Sequence, residues 1–279
     1  MGFDTTFCTL EGNFTQNDVV RANALYHNNA ANTYDEENRT VGTITERGDH
    51  RLREVFEQLK TKGARGPVLD FGTGTGHLLQ ISKDLFYPRL GIDISAGMLR
   101  KAIARGCPAL LANCLAPPIA DHCIGLVTAY SFLHHFKEPF NVLDQMVRVL
   151  RPGGWLVIDW EPNRAGYPKF ISLLFAKLKH PELWGRKRAC EDSPELKRAN
   201  EVAEYYEVMH PGLDAEALAE HLTMLKFQVS VVYHSNAHSA LPPNFRMQDR
   251  IRAILDGHLP TNKHSSVFFM LIAQKSESA

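Results

Sequence analysis

The sequence predicts an α/β fold, in which a mostly parallel sheet carries helices on both faces. Three observations support this prediction. Short apolar runs alternate with amphipathic helical segments between residues 65 and 160, as they do in successive βαβ units. The first run, Val68–Phe71, is followed by three glycines at alternate positions, and the second run ends in a carboxylate, Asp93. Apolar runs of this length are typical of strands buried on both faces.

The glycine-rich turn contains Gly72, Gly74 and Gly76 and leads into a helix that begins at His77. Glycine lets the chain turn sharply and brings backbone N–H groups close to a ligand. The helix that follows offers further unpaired N–H groups, so we predict a nucleotide-type pocket at the end of the strand. The spacing is not that of the dinucleotide fingerprint, because the third glycine comes one residue early. Asp70, just before the turn, would repel a pyrophosphate but suits a ligand with an ammonium group.

The other elements follow from hydrophobic periodicity and from helix start and stop signals. We predict helices over residues 46–62, 77–85, 96–104, 141–150, 169–178, 194–207, 213–225 and 245–255. We predict strands over residues 68–71, 89–93, 109–112, 124–130, 155–159, 227–233 and 267–273. Ser95 caps the helix after the second strand. Pro152 and the two glycines after it end a helix and open the fifth strand.

Several motifs in this order resemble those of class I S-adenosylmethionine (SAM) dependent methyltransferases, of the small-molecule, ubiquinone/menaquinone-biosynthesis-like type. They are D-x-G-x-G-x-G at residues 70–76, the acid Asp93, the stretch 112–121, L-H-H at Leu133–His135 and L-R-P-G-G at residues 150–154. The stretch 112–121 resembles the family pattern G-D-A-x-x-L-P-F-x-D, with Asn113 at the position of the acid.

The resemblance implies a Rossmann-like seven-stranded sheet with the order 3-2-1-4-5-7-6. Strand 7 would be antiparallel, helices would cover both faces, and a cap would be inserted after the fifth strand. The implied segments are an N-terminal helical segment that covers the cofactor site (1–62), a SAM-binding core (63–162), a cap insertion (163–212) and a C-terminal completion of the sheet (213–279).

The resemblance also implies SAM as cofactor, with S-adenosylhomocysteine as product. Asp93, at the tip of the second strand, would accept hydrogen bonds from the ribose hydroxyls. Asn113 would accept one from the adenine amino group. Tyr26 and Tyr34 lie in a segment that would fold over the cofactor. The full set of expected cofactor contacts is Asp70, Gly72, Thr73, Gly74, Gly76, Asp93, Ile94, Met98, Asn113, Cys114, Tyr130, Tyr26 and Tyr34.

Methyl transfer from a sulfonium is a direct in-line displacement, so the protein must mainly position the two reactants and exclude water. A hydroxyl or carbon acid also needs a base, and histidine is the side chain best suited to that role at neutral pH. The expected catalytic residues are His134, His135 and His210. No set of His, Cys and carboxylates has metal-ligand spacing in the sequence, so no metal is predicted.

Composition narrows the function further. Acidic and basic residues balance at 31 each, which argues against a nucleic-acid partner and favours a small-molecule acceptor. Five cysteines at irregular spacing indicate free thiols in a reducing compartment. We expect no signal peptide and no membrane span, and therefore a cytoplasmic protein. The oligomeric state is left open.

Three alternatives stay open on sequence grounds. An RNA or protein methyltransferase would need a basic face around the pocket. A SAM-binding module without catalysis would bind cofactor but not turn over, and Asn113 and Gly125 are consistent with it. A nicotinamide dehydrogenase is disfavoured by Asp70 and by the glycine spacing.

Overall fold

The computed structural model describes residues 14–36, 46–166, 193–206, 210, 212–234, 263–264, 266 and 268–277. Its strands are β1 (Val68–Phe71), β2 (Arg89–Asp93), β3 (Ala109–Leu111), β4 (Ile124–Tyr130), β5 (Leu150–Pro162), β6 (Phe227–His234) and β7 (Phe268–Lys275). They form one sheet in the order β3-β2-β1-β4-β5-β7-β6. The neighbours from β3 to β5 pair in parallel, and β7 is antiparallel to both β5 and β6. The predicted strand order and the antiparallel strand 7 are confirmed.

The helices are α1 (Gln16–Ala30), α2 (Glu46–Thr61), α3 (His77–Ile81), α4 (Ala96–Ala104), α5 (Pro139–Val149), α6 (Pro194–Ala203) and α7 (Ala215–Met224). A short 3-10 helix spans Leu133–His135. α3 is shorter than the predicted helix 77–85, because residues 82–85 form a hydrogen-bonded turn instead. α5 begins two residues earlier than predicted, with Pro139 in its first turn, where the missing N–H costs nothing. The predicted helices 169–178 and 245–255 lie outside the described residues.

The sheet is buried on both faces by two apolar clusters. On one face, Leu52 and Phe56 of α2 pack with Val68, Val157 and other side chains of the strands. On the other face, residues of α5, α7 and the 3-10 helix pack against the opposite side of the same strands. The side chains of β4 are buried from Ile124 to Ala129, which explains why its sequence reads as a continuous apolar run.

The N-terminal segment is joined to the core at two places. The side-chain oxygen of Asn28, in α1, accepts hydrogen bonds from the backbone N–H of Gly97 (2.7 Å) and from the Ser95 hydroxyl (3.1 Å) at the start of α4. Asp35, beyond α1, accepts one from the Thr75 hydroxyl (2.7 Å) and pairs with Arg105. Segment 14–36 is therefore held against the glycine turn and against α4.

The opposite side of α1 packs on α6, which lies in the segment after β5. Val19, Ala22 and Tyr26 of α1 form a buried cluster with Ala199 and Val202 of α6. The proposed division at residues 62, 162 and 212 stays a prediction, because much of the segment 163–212 lies outside the described residues. Among the described helices, none is long and apolar enough to cross a bilayer.

Packing of α2 yields a prediction about stability. Phe56 is fully buried and its ring meets Phe86 edge-on, with 6.2 Å between ring centroids. We expect Phe56→Ala to lower the free energy of unfolding by about 3–5 kcal/mol, because it leaves a cavity in the core. Urea denaturation with an unchanged m-value measures this loss.

The control is Tyr87→Ala, since the Tyr87 side chain is 85% exposed. Its free energy of unfolding should change by no more than about 0.5 kcal/mol. Equal effects of the two substitutions would show that α2 does not contribute to the core.

Candidate functional site

The three glycines of the turn have different structural roles. All three have positive φ angles: +65° at Gly72, +54° at Gly74 and +87° at Gly76. A Cβ on Gly74 would come no closer to another atom than 4.0 Å, to the Gly72 backbone oxygen. A Cβ on Gly72 would overlap the ring of Phe132, and one on Gly76 would come within 2.9 Å of the Cys107 Sγ. Gly74 therefore leaves room for a ligand, whereas Gly72 and Gly76 allow close packing within the protein.

Asp93 connects the tip of β2 to the glycine turn. Its Oδ2 accepts a hydrogen bond from the backbone N–H of Gly74 (2.9 Å), and its Oδ1 accepts one from that of Ser95 (2.8 Å). Burial raises the pKa of Asp93, and these N–H donors oppose the rise. The carboxylate thus fixes the turn and stands at the point where β2 meets the pocket.

Asp70 lies deep beneath the turn, with 2% of its surface exposed. Its Oδ1 accepts a hydrogen bond from the Thr128 hydroxyl at 2.7 Å. Burial raises the pKa of Asp70 to about 6, although that hydrogen bond lowers it. This carboxyl group therefore titrates close to neutral pH, which is unusual for an aspartate.

A cavity of about 630 Å³, counting its open mouth, lies at the carboxyl ends of β1, β2 and β4. This is the position of ligand sites in open α/β sheets. Ten of the predicted site residues line it: Tyr34, Gly72, Gly74, Asp93, Ile94, Met98, Asn113, Cys114, Tyr130 and His135. An adjoining pocket of about 410 Å³ is lined by Asp70 and Thr73, and it shares Tyr34, Gly72, Gly74 and Tyr130 with the cavity.

The remaining predicted site residues lie elsewhere. Tyr26 is packed in the cluster between α1 and α6, and Gly76 packs against Cys107. His134 is buried behind His135. His210 is exposed, and its ring lies beside that of Tyr205, with 4.6 Å between centroids.

Two cavity residues have environments that affect what they can bind. The side-chain oxygen of Asn113 already accepts a hydrogen bond from the backbone N–H of Leu115 (2.9 Å), which uses one of its two lone pairs. The Cys114 thiol is buried, and this burial raises its pKa. Cys114 therefore contributes to the wall as a neutral, weakly polar side chain.

The L-H-H segment is held by Glu161, at the end of β5. Glu161 is fully buried. Its Oε1 accepts hydrogen bonds from the backbone N–H groups of Phe132 and Leu133, both at 2.8 Å. Its Oε2 accepts from the backbone N–H of His134 (3.1 Å) and from the His134 Nδ1 (3.0 Å). Sequence reasoning missed Glu161. Its place two residues after Asp159, at the end of a predicted strand, could have indicated a site residue.

A second acid, Glu204, follows α6 and also faces the two histidines. Its Oε2 lies 3.4 Å from the His134 Nε2 and 3.8 Å from the His135 Nδ1. The His135 Nδ1 donates a hydrogen bond to the backbone oxygen of Ala203 at 2.9 Å, because a carbonyl can only accept. The two imidazole centroids are 4.1 Å apart.

The charges in this group are strongly coupled. Burial lowers the pKa of His135, and the nearby His134 lowers it further, so the His135 ring is neutral at pH 7. Burial alone would raise the pKa of Glu204, but His135 and His134 outweigh burial and lower it, so Glu204 is ionised. The cluster therefore presents neutral imidazole and carboxylate side by side.

β5 has an irregular end between Ile158 and Glu161, where the register against β7 shifts. Trp160 in this bulge has a φ of +62°, and its ring stacks on Phe268 with 4.6 Å between centroids. Asp159, also fully buried, pairs with the Arg51 guanidinium (2.5 Å) and with the His234 Nε2 (2.8 Å). This network was not predicted from the sequence. A positive φ in a bulky residue is unusual and is concentrated at functional sites.

Comparison with known proteins agrees with this geometry. Residues 69–158 match the family described as "Methyltransferase domain". The chain is 29% identical over 111 residues to "Probable tRNA methyltransferase 9B" of Bos taurus, a match that covers 39% of this chain and 23% of that protein. It is 35% identical over 118 residues to a demethylmenaquinone methyltransferase of Thermus thermophilus, covering 39% of this chain and 54% of the relative. The chain thus spans about a quarter of the length of the first relative and about half of the length of the second.

Among solved structures, a SAM-dependent methyltransferase of Thermotoga maritima, described as a possible histamine N-methyltransferase, has the same fold. The TM-score is 0.54 at 14% identity, with 90% of this chain and all of that chain covered. The sequence match, the strand order and the motif order agree. Residues 69–158 therefore match a methyltransferase domain, and the chain shares its fold with this SAM-dependent methyltransferase.

Proposed function

We propose that this protein transfers the methyl group of SAM to a small organic acceptor. The observation that carries the proposal is the composition of the cavity walls. One wall is formed by the glycine turn and the tip of β2, and the other by His135 and by the aromatic side chains of Phe132 and Phe136. Cofactor and acceptor would meet between the two walls.

The cofactor would lie along the first wall. We assign the ribose hydroxyls to Asp93, the adenine edge to Asn113 and the amino-acid tail to the adjoining pocket at Asp70. A buried carboxylate is the natural partner of an ammonium group, since each offsets the cost of burying the other. This assignment leaves the sulfonium near Tyr130 and Ser131, which line both the cavity and the adjoining pocket.

The acceptor would lie at the second wall. The Nδ1 of His135 donates to the Ala203 oxygen, so its neutral ring offers the Nε2 as proton acceptor. In the reaction, an acceptor lone pair attacks the methyl carbon, the carbon–sulfur bond breaks with its electrons on sulfur, and His135 takes the acceptor proton. His134, tied to Glu161, positions this ring, and His210 stays a weaker prediction because it lies at the surface.

A small acceptor is supported by the roof and by the overall charge. Val20, Asn23 and His27 of α1 line the cavity, so α1 restricts access to it. The chain has no net charge to attract a polyanion. Cys107, Cys114 and Cys123 are free thiols, which supports a reducing compartment and hence the cytoplasm.

An RNA acceptor is the second candidate, because one relative is a probable tRNA methyltransferase. Electrostatic retention on bulk tRNA would weaken steeply between 50 and about 200 mM salt. Strong, salt-sensitive retention together with methyl incorporation into tRNA would favour this candidate over a small acceptor.

The raised pKa of Asp70 predicts a pH dependence of SAM affinity. Only the ionised carboxylate attracts the ammonium group, so below about pH 6 SAM must also displace a proton from Asp70. We expect the Kd for SAM to be flat above pH 7 and to rise toward about tenfold per pH unit below pH 6. Calorimetric titration from pH 5 to 8 measures it. Asp70→Asn should bind weakly at every pH, and a flat wild-type profile would contradict the role of Asp70.

Asp93 yields a second prediction about cofactor binding. Asp93→Ala should weaken the binding of SAM and of S-adenosylhomocysteine at least about tenfold, or 1.4 kcal/mol, because the ribose hydroxyls lose their hydrogen-bond acceptor. Asp84→Ala is the control, since Asp84 has a side chain 65% exposed. Equal affinities of the two variants, or binding of NADH instead, would overturn the assignment.

His135 yields a prediction about turnover. With 1,4-naphthohydroquinone and catechol as probe acceptors, His135→Gln should lower kcat by about 10²–10⁴, the usual contribution of a general base. The Kd for SAM should change little, since the cofactor lies at the other wall. Release of S-adenosylhomocysteine measures turnover, and His50→Gln, at an exposed histidine, is the control. Undiminished turnover in His135→Gln would exclude His135 as the base.

A further inference from the structure

Two histidines and a carboxylate converge where the segment after β5 meets the L-H-H segment. One ligand atom each from His134, His135 and Glu204 lies within 4.8 Å of the other two. His134 and His135 are neighbours in the chain, but Glu204 reaches them from the end of α6. Sequence spacing could not reveal this set, which is why no metal was predicted.

The Nδ1 atoms of both imidazoles have hydrogen-bond acceptors, as those of metal-ligating histidines do. The Nδ1 of His134 donates to the Glu161 carboxylate at 3.0 Å, and the Nδ1 of His135 donates to the Ala203 carbonyl at 2.9 Å. Such partners fix the tautomer and leave Nε2 as the atom that can bind an ion. The carboxylate partner of His134 also makes its ring a stronger ligand.

The spacing between His134 and Glu204 agrees with ligands of one ion. Their Nε2 and Oε2 atoms are 3.4 Å apart. A charge-assisted N–H···O bond is shorter, at about 2.7–2.9 Å. Nitrogen and oxygen ligands that each lie about 2.0–2.1 Å from a tetrahedral zinc are about 3.3 Å from each other. The separation of 3.4 Å is close to the second value, and without an ion it is also within reach of a hydrogen bond between the two side chains.

We propose that His134, His135 and Glu204 bind a divalent cation of the zinc type, with a fourth position open toward the cavity. Two imidazoles and one carboxylate are the ligand set of open, catalytic zinc sites. Nitrogen donors favour zinc and later transition metals over Mg²⁺ or Ca²⁺, which prefer oxygen. We place the open position on the side of the cavity, which His135 lines.

The chemistry of this ion rests on the proposed function. An acceptor hydroxyl bound at the open position would lose its proton to solvent more readily, as zinc-bound water does. Its oxygen would then attack the methyl carbon of SAM, and the carbon–sulfur bond would break with its electrons on sulfur. The His135 Nε2 would hold the ion in this case, so ion and imidazole base are alternative ways to remove the same proton.

Metal binding is tested without activity. The full-length protein is treated with a chelator, dialysed and titrated with Zn²⁺ by calorimetry, and Co²⁺ is used as a spectroscopic probe. We expect one equivalent of Zn²⁺ and the intense visible bands of four-coordinate Co²⁺, with Mg²⁺ ineffective. Loss of a direct ligand should weaken binding more than loss of a hydrogen-bond partner of a ligand, so Glu204→Gln and His135→Gln should each raise the Kd for Zn²⁺ at least about a hundredfold.

The matched control is Glu201→Gln, one turn earlier on α6, where Glu201 pairs with Arg198 on the surface. Its Zn²⁺ affinity should equal that of the wild type. Thermal melts establish whether the variants fold. The Co²⁺ spectrum of the wild type tests the proposal even if a variant does not fold. Absence of these Co²⁺ bands, or equal Zn²⁺ affinity in all variants, would overturn the proposal.

SAM titration of the same samples keeps the two proposals separate. Zinc binding without SAM binding would support the metal site and contradict the proposed function. SAM binding with turnover that resists the chelator, and no zinc binding, would support the proposed function with His135 as the base and contradict the metal site.

Discussion

The candidate site depends on the buried carboxylate of Glu161. An isolated ionised carboxylate in the core would be very costly, but Glu161 accepts four hydrogen bonds from one short segment. Three of its partners are consecutive backbone N–H groups that would themselves be unpaired at the start of the 3-10 helix. One side chain of β5 thus accepts hydrogen bonds from the backbone N–H groups of the segment after β4. These bonds fix the position of the segment that contains both histidines. The cavity wall that contains His135 is thereby fixed to the end of β5.

The N-terminal segment completes the site by contacts of another kind. Asn28 and Asp35 connect it to α4 and to the glycine turn, while Tyr26 packs against α6. These contacts are a few hydrogen bonds and one apolar cluster, in which α1 packs closely along α6. The roof of the cavity is therefore held by α4, the glycine turn and α6.

Most of the correct predictions of secondary structure came from local sequence patterns. The apolar run before the glycine turn and the acid at the tip of β2 each act within a few residues, so their strands were predicted close to their observed bounds. β5 differs, because it begins at Leu150, before Pro152, and not at residue 155 as predicted. Glu161, Glu204 and Arg51 were missed because their partners lie on other elements, and only the folded chain brings them together. A Cβ on Gly76 would come close to Cys107, which the repeated glycine motif does not reveal, and its contact with the cofactor stays a prediction.

The bulge at Trp160 has a consequence for which face of the sheet receives the histidines. Trp155 and Val157 face α2, and Leu156 and Ile158 face the other way. Strict alternation would turn both Asp159 and Glu161 toward α2. Asp159 does meet Arg51 of α2, yet Glu161 meets the 3-10 helix on the opposite face. The irregular register allows one strand end to supply an acid to each side of the sheet. The number of residues in β5, as much as their identity, therefore determines where the L-H-H segment is anchored.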